Sequence, residues 1–258
     1  MTLDERLWKT FNKALGKYQL IDEDDHILVG LSGGKDSLLL LEFLARRSKI
    51  HVPNFRITAL HVRMEFASPH SDHNSENIQY ETDTSYLQRF CDELDVPLHI
   101  TTTSFQTNHT SHLSSLTSHL KEKPACFLCS WQRRKQMFNF AQELGCTKIA
   151  LGHHQDDLIH TALMNLTFHG HFSTMPVKLK MRKMPLTIIR PLCLCHEEDI
   201  HTYAEEHHYK KQLKLCPYER TTNRTTASEL FAFINQISPE ARYNIWGALE
   251  ADNKLLEY

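Results

Sequence analysis

The stretch Ile27-Leu28-Val29-Gly30-Leu31-Ser32-Gly33-Gly34-Lys35-Asp36-Ser37 decides how this chain folds. The short apolar run Ile27 to Leu31, ending among glycines, reads as a buried parallel strand. The leucine-rich residues 36–47 read as a helix. Between them, Ser32-Gly33-Gly34 lets backbone amides come close to an anion, and the amino end of the following helix adds a partial positive charge. Strand, glycine loop and helix together predict phosphate binding. The loop has neither the Gly-x-x-x-x-Gly-Lys-Ser/Thr spacing of kinase-type loops nor the Gly-x-Gly-x-x-Gly of dinucleotide folds. The plain alternative is a glycine turn before a helix with incidental serines.

Outward from this stretch the pattern repeats. Residues 3–15 carry apolar positions at helical spacing, and Thr2 with Glu5 makes a capping box. After the acidic turn Asp22 to Asp25 and the phosphate loop, Arg56 to Val62 predicts a second strand. Residues 75–94 predict a helix with Leu87, Phe90, Cys91 and Leu94 on one face. Further strands are expected at Leu98–Thr102, Lys148–Gly152 and Thr187–Arg190, with helices near 130–144 and 155–167. The expected fold is α/β, a doubly wound parallel sheet of about five strands in one domain over 1–258, with an N-terminal helix within 1–24. Ser, Thr and His dominate residues 103–123, which read as a long polar loop of the kind often used as a lid. Thr226 with Glu229 and Ser238-Pro239 suggest the starts of two closing helices within 226–258.

With 41% apolar and 23% charged residues, the chain can bury a sizeable core. The acidic start Met-Thr-Leu-Asp-Glu-Arg and the lack of any apolar run of membrane length predict a soluble, cytoplasmic protein with no membrane partner. In reducing cytosol, seven cysteines point to metal binding or catalysis rather than disulfides. A net charge of -2 gives no global field to draw in nucleic acid. Local clusters remain at Arg133-Arg134-Lys135, at Lys178 to Lys183, and at Lys210-Lys211 with Lys214, Arg220 and Arg224. They form either a basic stripe or separate solvated faces.

Cys126-Phe127-Leu128-Cys129 puts two thiols at the start of a helix, where both reach one metal or cluster iron. A third ligand must come from elsewhere. Cys216 is the first choice; Cys193 and Cys195 compete because they follow a strand end, where α/β sheets place ligand sites. Cys91 and Cys146 read as small core residues. His109, His112, His119 and His207-His208 have no accompanying ligand pattern. Leu151-Gly152-His153-His154-Gln155-Asp156-Asp157 leaves a strand and starts a helix, so its carboxylates belong at the sheet's carboxyl edge beside the phosphate loop. Helix capping is the alternative role for those carboxylates.

Ser-Gly-Gly-Lys-Asp-Ser is similar to the signature of the PP-loop ATP pyrophosphatases. Joined to Cys-x-x-Cys before a basic helix, to Leu151–Asp157, and to Ile189-Arg190-Pro191-Leu192 with a following cysteine and Glu-Asp-Ile helix, it resembles the tRNA 2-thiocytidine synthetase family over roughly residues 25–250. The resemblance implies ATP cleaved between its α- and β-phosphates. The phosphates would be held by Ser32, Gly33, Gly34, Lys35, Asp36 and Ser37, with Mg2+ served by Asp36. It implies nucleotide contacts from Gly152 and His153, Asp157 as the catalytic acidic residue with Asp156 as alternative, and Arg133 close to the reaction. Arg134 and Lys135 would meet RNA backbone. A 4Fe-4S cluster on Cys126, Cys129 and Cys216 would leave one iron open to carry sulfur. The implied partners are tRNA, a sulfur donor such as a cysteine desulfurase or free sulfide, and a second copy of the chain in a homodimer. Two departures stand out: the chain lacks the extra cysteine pairs of the related 2-thiouridine enzymes, and no Cys-x-x-Cys follows Cys216. Rival readings are a zinc site, thiolation of another base or a small molecule, lysidine formation, and a non-catalytic cluster-bearing nucleotide sensor.

Overall fold

The computed structural model describes residues 1–66, 83–105, 125–212 and 223–257. In chain order the elements are α1 (Leu3–Lys17), β1 (Asp25–Gly30), α2 (Lys35–Ser48), β2 (Phe55–Phe66), α3 (Thr84–Leu94), β3 (Leu98–Phe105), α4 (Ala125–Glu143), β4 (Lys148–Ala150), α5 (Gln155–His169), β5 (Lys178–Lys180), β6 (Thr187–Ile189), α6 (Glu197–Glu206), α7 (Asn223–Ile237), α8 (Ala241–Ala251) and β7 (Leu256–Glu257). They build one sheet in the order β3-β2-β1-β4-β6-β5-β7. The first five of these strands are parallel, and they are the five expected from sequence. The order reverses at β1, which pairs with β2 on one side and β4 on the other. This switch point is where open α/β sheets leave a crevice at their carboxyl ends.

Alternation along β1 explains its two-sided burial. Ile27 and Val29 join the larger core with Leu7 and Phe11 of α1, Leu38 and Phe43 of α2, Cys91 of α3 and Ile200 of α6. Leu28 faces the other way, into a second cluster with Leu60, Val62, Ile149 and Ala141 of α4.

Several local expectations shift. The Thr2–Glu5 capping box forms as expected. Of the helix expected over 75–94, Thr84–Leu94 is formed, with Asp83 accepting the Tyr86 amide as its cap, and residues 75–82 lie outside the described residues. Residues 103–105 of the expected polar loop continue β3, paired to β2; the rest of that loop lies outside the described residues. α7 starts at Asn223, so Thr226 sits inside the helix instead of capping it. Ser238-Pro239 forms a turn whose carbonyl at Ser238 accepts the Ala241 amide, and α8 starts at Ala241. β5, antiparallel to β6, and β7 were not foreseen. Among the described residues, no helix is long and apolar enough to cross a membrane.

Candidate active site

The phosphate loop turns out of β1 with Gly33 at φ +83°, a left-handed conformation that suits glycine. Gly34 is the N-cap of α2 and offers no side chain to its first turn. The loop's serines hold the turn itself. Ser37 Oγ donates to the Gly34 carbonyl at 2.9 Å and lies 3.2 Å from Ser32 Oγ, which accepts the Gly34 amide at 3.3 Å. The helix amino end therefore keeps its partial positive charge facing outward. Lys35 Nζ sits 3.0 Å from Asp36 Oδ1 and 3.2 Å from Glu197 Oε1. Burial lowers the Lys35 pKa, but the two carboxylates outweigh it and hold the ammonium above its ordinary value.

The β4–α5 turn is pressed against this loop. A β-carbon on Gly152 would stand 3.0 Å from the Asp36 carbonyl and 3.1 Å from the Ser37 nitrogen, so only glycine lets the two turns meet this closely. Buried His154 then reaches the phosphate-loop acid, its Nε2 lying 3.9 Å from Asp36 Oδ1 and 3.5 Å from Asp157 Oδ2. Asp157 Oδ2 also accepts the His154 amide at 3.1 Å, which closes the first turn of α5. The residue that bridges the two turns is His154, which follows His153, the residue that sequence reasoning expects to contact the nucleotide.

Asp156 is deployed differently from Asp157. One oxygen accepts the Glu197 amide at 2.9 Å, supplying the cap that His196 does not give α6, and the other meets Arg242 Nη2 of α8 at 2.5 Å. Burial raises its pKa, yet the Arg242 hydrogen bond, the Glu197 amide and the Arg242 charge leave the carboxyl below its usual range. It is a buried tie between α5, α6 and α8. Glu197 and Arg242, both absent from the sequence reading, carry no local motif that would have revealed them. Buried Arg190, from the Ile189-Arg190-Pro191-Leu192 stretch, has its pKa pulled down to about 10 by burial, which the nearby Asp157 carboxylate only partly offsets.

α4 brings the cysteine pair to the same edge. Its Met137 Sδ lies 3.2 Å from where a Gly30 β-carbon would be, at the carboxyl end of β1, while its carboxyl end leads into β4 at that strand's amino end. The helix thus runs against the strands, and at 1.5 Å per residue Cys129 lies about 12 Å beyond Met137, past the carboxyl end of β1 from which the phosphate loop leaves. Cys126 is exposed and Cys129 half-buried, on successive turns of one helix face. Arg133, one turn later and exposed, is close enough for its charge to depress buried His61, whose pKa is lowered first by burial. Cys193 and Cys195 belong elsewhere: both are fully packed in the larger core, and burial pushes the Cys193 thiol well above its ordinary value and Cys195 to about 12. A thiol so disfavoured as thiolate is a poor metal ligand. Cys216 lies outside the described residues, and among those described no cluster of three metal-ligating side chains forms.

A doubly wound sheet carrying a Ser-Gly-Gly-Lys-Asp-Ser loop at its switch point defines a PP-loop nucleotide-binding protein, and the PP-loop domain family matches residues 3–212. The tRNA-cytidine(32) 2-sulfurtransferase of Pseudomonas syringae pv. tomato is 31% identical over 99% of this chain and 89% of its own length. That of Dichelobacter nodosus is 32% identical over 96% and 86%. The chain belongs to the tRNA-cytidine(32) 2-sulfurtransferase family within the PP-loop proteins. The U34-tRNA thiolase of Methanococcus maripaludis, solved with its 4Fe-4S cluster, has the same fold, with a TM-score of 0.71 at 22% identity over 99% of this chain and 80% of that one.

Proposed function

We propose that this protein is a cytoplasmic, ATP-dependent tRNA sulfurtransferase that converts a cytidine at position 32 to 2-thiocytidine. The observation that carries this reading is the convergence, at one sheet edge, of an uncapped helix amino end, the His154–Asp157 turn and a helix presenting Cys126 and Cys129. The full-length likeness to enzymes named for this reaction supports it.

In this reading the α2 amides, Ser32 and Lys35 hold the ATP phosphates, and Asp36 would hold Mg2+, which would screen the charge that builds up on pyrophosphate. Gly152 lets the nucleotide lie across the two turns. The C2 oxygen of cytidine attacks the α-phosphorus, the bond to pyrophosphate breaks, and AMP becomes bonded to C2 through that oxygen. Asp157 is the catalytic acidic residue, with Asp156, whose oxygens meet Glu197 and Arg242, as the alternative. Arg133 steadies the reacting base or its phosphate.

Cys126 and Cys129 suit a cluster by chemistry and placement: two thiols on one helix face, reachable from solvent. They would hold a 4Fe-4S cluster together with Cys216. When bound, the cluster supplies the sulfur that displaces AMP from C2. The sulfur originates from a cysteine desulfurase or free sulfide, and the working form is a homodimer.

The test is anaerobic reconstitution followed by incubation with ATP, sulfide and tRNA lacking 2-thiocytidine. The expected result is pyrophosphate and 2-thiocytidine in equal amounts, with about four irons per chain, lost in Cys126→Ala, Cys129→Ala and Cys216→Ala. Zinc in place of iron, or ATP binding without pyrophosphate release, would overturn the reading.

A further inference from the structure

The chain has three tryptophans, and two are accounted for by the fold. Trp8 packs on Phe11 and Phe43 with Arg46 over its ring, and Trp246 is buried with its Nε1 donating to Glu250 at 3.1 Å. Trp131 is different. Its ring is 38% exposed on α4, and Phe127, one turn earlier, is 40% exposed. Lys135 Nζ, one turn later, lies 5.5 Å from the Trp131 ring centroid. Aromatic carbon left exposed at the Trp131 turn costs hydration free energy.

Helical spacing separates this stripe from the cysteines. Cys126, Cys129 and Arg133 fall on the side of α4 that Met137 and Ala141 carry onto the sheet, toward the sheet's carboxyl edge. Phe127, Trp131 and Lys135 lie on the flank beside it. Arg134 stands next to that flank, its guanidinium donating to the Ser130 carbonyl at 3.2 Å, and Arg133, Arg134 and Lys135 are all exposed. A chain of net charge -2 thus gathers three exposed cations on the stretch of helix that bears the part-exposed Trp131 and Phe127 rings. A ligand with flat π-faces and a negative backbone fits both features; an apolar protein surface would leave the three charges unanswered.

We propose that Trp131, with Phe127, is a stacking platform for an unpaired base of the RNA substrate adjoining the one modified, while Arg134 and Lys135 take the phosphates beside it. This rests on the sulfurtransferase reading and deepens it. The cysteine face handles the target nucleotide, and the aromatic flank fixes its neighbour. Because every base offers a π-face, the platform confers register on the loop without demanding a particular sequence.

The experiment uses reconstituted holoenzyme in wild-type, Trp131→Ala and Trp131→Phe forms, with an unmodified tRNA and a short single-stranded oligoribonucleotide as probes. Trp131→Ala should raise KM for tRNA about tenfold, the scale of one lost base–aromatic stack, and leave KM for ATP and the melting temperature unchanged. Trp131→Phe should restore most of the loss. The oligoribonucleotide should quench the fluorescence that separates wild type from Trp131→Phe. An unchanged KM for tRNA without quenching, or a change in sedimentation that tracks Trp131 in the absence of RNA, would overturn the platform, the latter in favour of a protein contact. Failure of the broader reading is distinct: it would appear as wild-type enzyme that quenches with RNA yet forms no thiolated nucleoside.

Discussion

Two strand-to-helix turns meet at the switch point, and they are finished in opposite ways. α5 closes its own amino end, with Asp157 accepting the His154 amide, and its neighbour Asp156 spends both oxygens on α6 and α8. α2 is left open. Its N-cap is a glycine, its serines brace the loop, and its first-turn acid, Asp36, leans toward Lys35 and His154. Elsewhere, α1 is closed by Thr2 and α3 by Asp83. A helix end is ordinarily completed by the chain that makes it, so an end left incomplete beside a carboxylate and an imidazole marks the place where an anion and its counter-cation belong.

The contrast predicts a ranked set of effects. Asp36→Asn should do most, lowering kcat for pyrophosphate release about a hundredfold or more while barely moving Tm, if it serves the metal that offsets developing phosphate charge. A wild-type rate would show that the open end works without this acid. Gly152→Ala should weaken ATP binding about tenfold by prising the two turns apart, read as KM for ATP. Equal affinity would mean the close approach is mere packing.

Arg242→Ala should act on stability instead, costing about 2–3 kcal/mol after allowing for the partial exposure of Arg242 and lowering Tm by roughly 5–10 °C. This effect has a pH signature. The Asp156 carboxyl is held below its ordinary range, so its contribution is complete above the unfolded pKa of about 4 and is lost as pH falls through the folded value. Wild-type and Arg242→Ala melting curves should therefore converge in acid and separate toward neutrality. Parallel curves throughout would detach the effect from Asp156. Thr2→Ala, which removes the cap of α1, should cost about 1 kcal/mol and leave turnover untouched.

Much of this was legible because its signals are local. β1 is a short apolar run bounded by turn residues, and the phosphate loop that follows it lies within one contiguous stretch. β5 and β7 escaped notice because three and two residues, with lysines at two positions of β5, have no periodicity to detect. The supports of the site escaped for a different reason. Glu197 and Arg242 reach Asp156 from 41 and 86 positions away in sequence, and only the fold brings them together. Cys193 and Cys195 show the converse: a favourable position past a strand end was overruled by the core that packs around them.

The direction of α4 has one more consequence. From Met137 to Ala141 one face of the helix packs into the second core cluster, while from Cys126 to Arg133 most of its side chains are exposed. Amide exchange along it should quicken steadily from Ala141 back toward Cys126, because opening the free end uncovers little apolar surface. The thiols, the arginines and the bare tryptophan all ride on the part that bends most cheaply, so α4 can follow an incoming substrate while its anchored half keeps them in register with the phosphate loop.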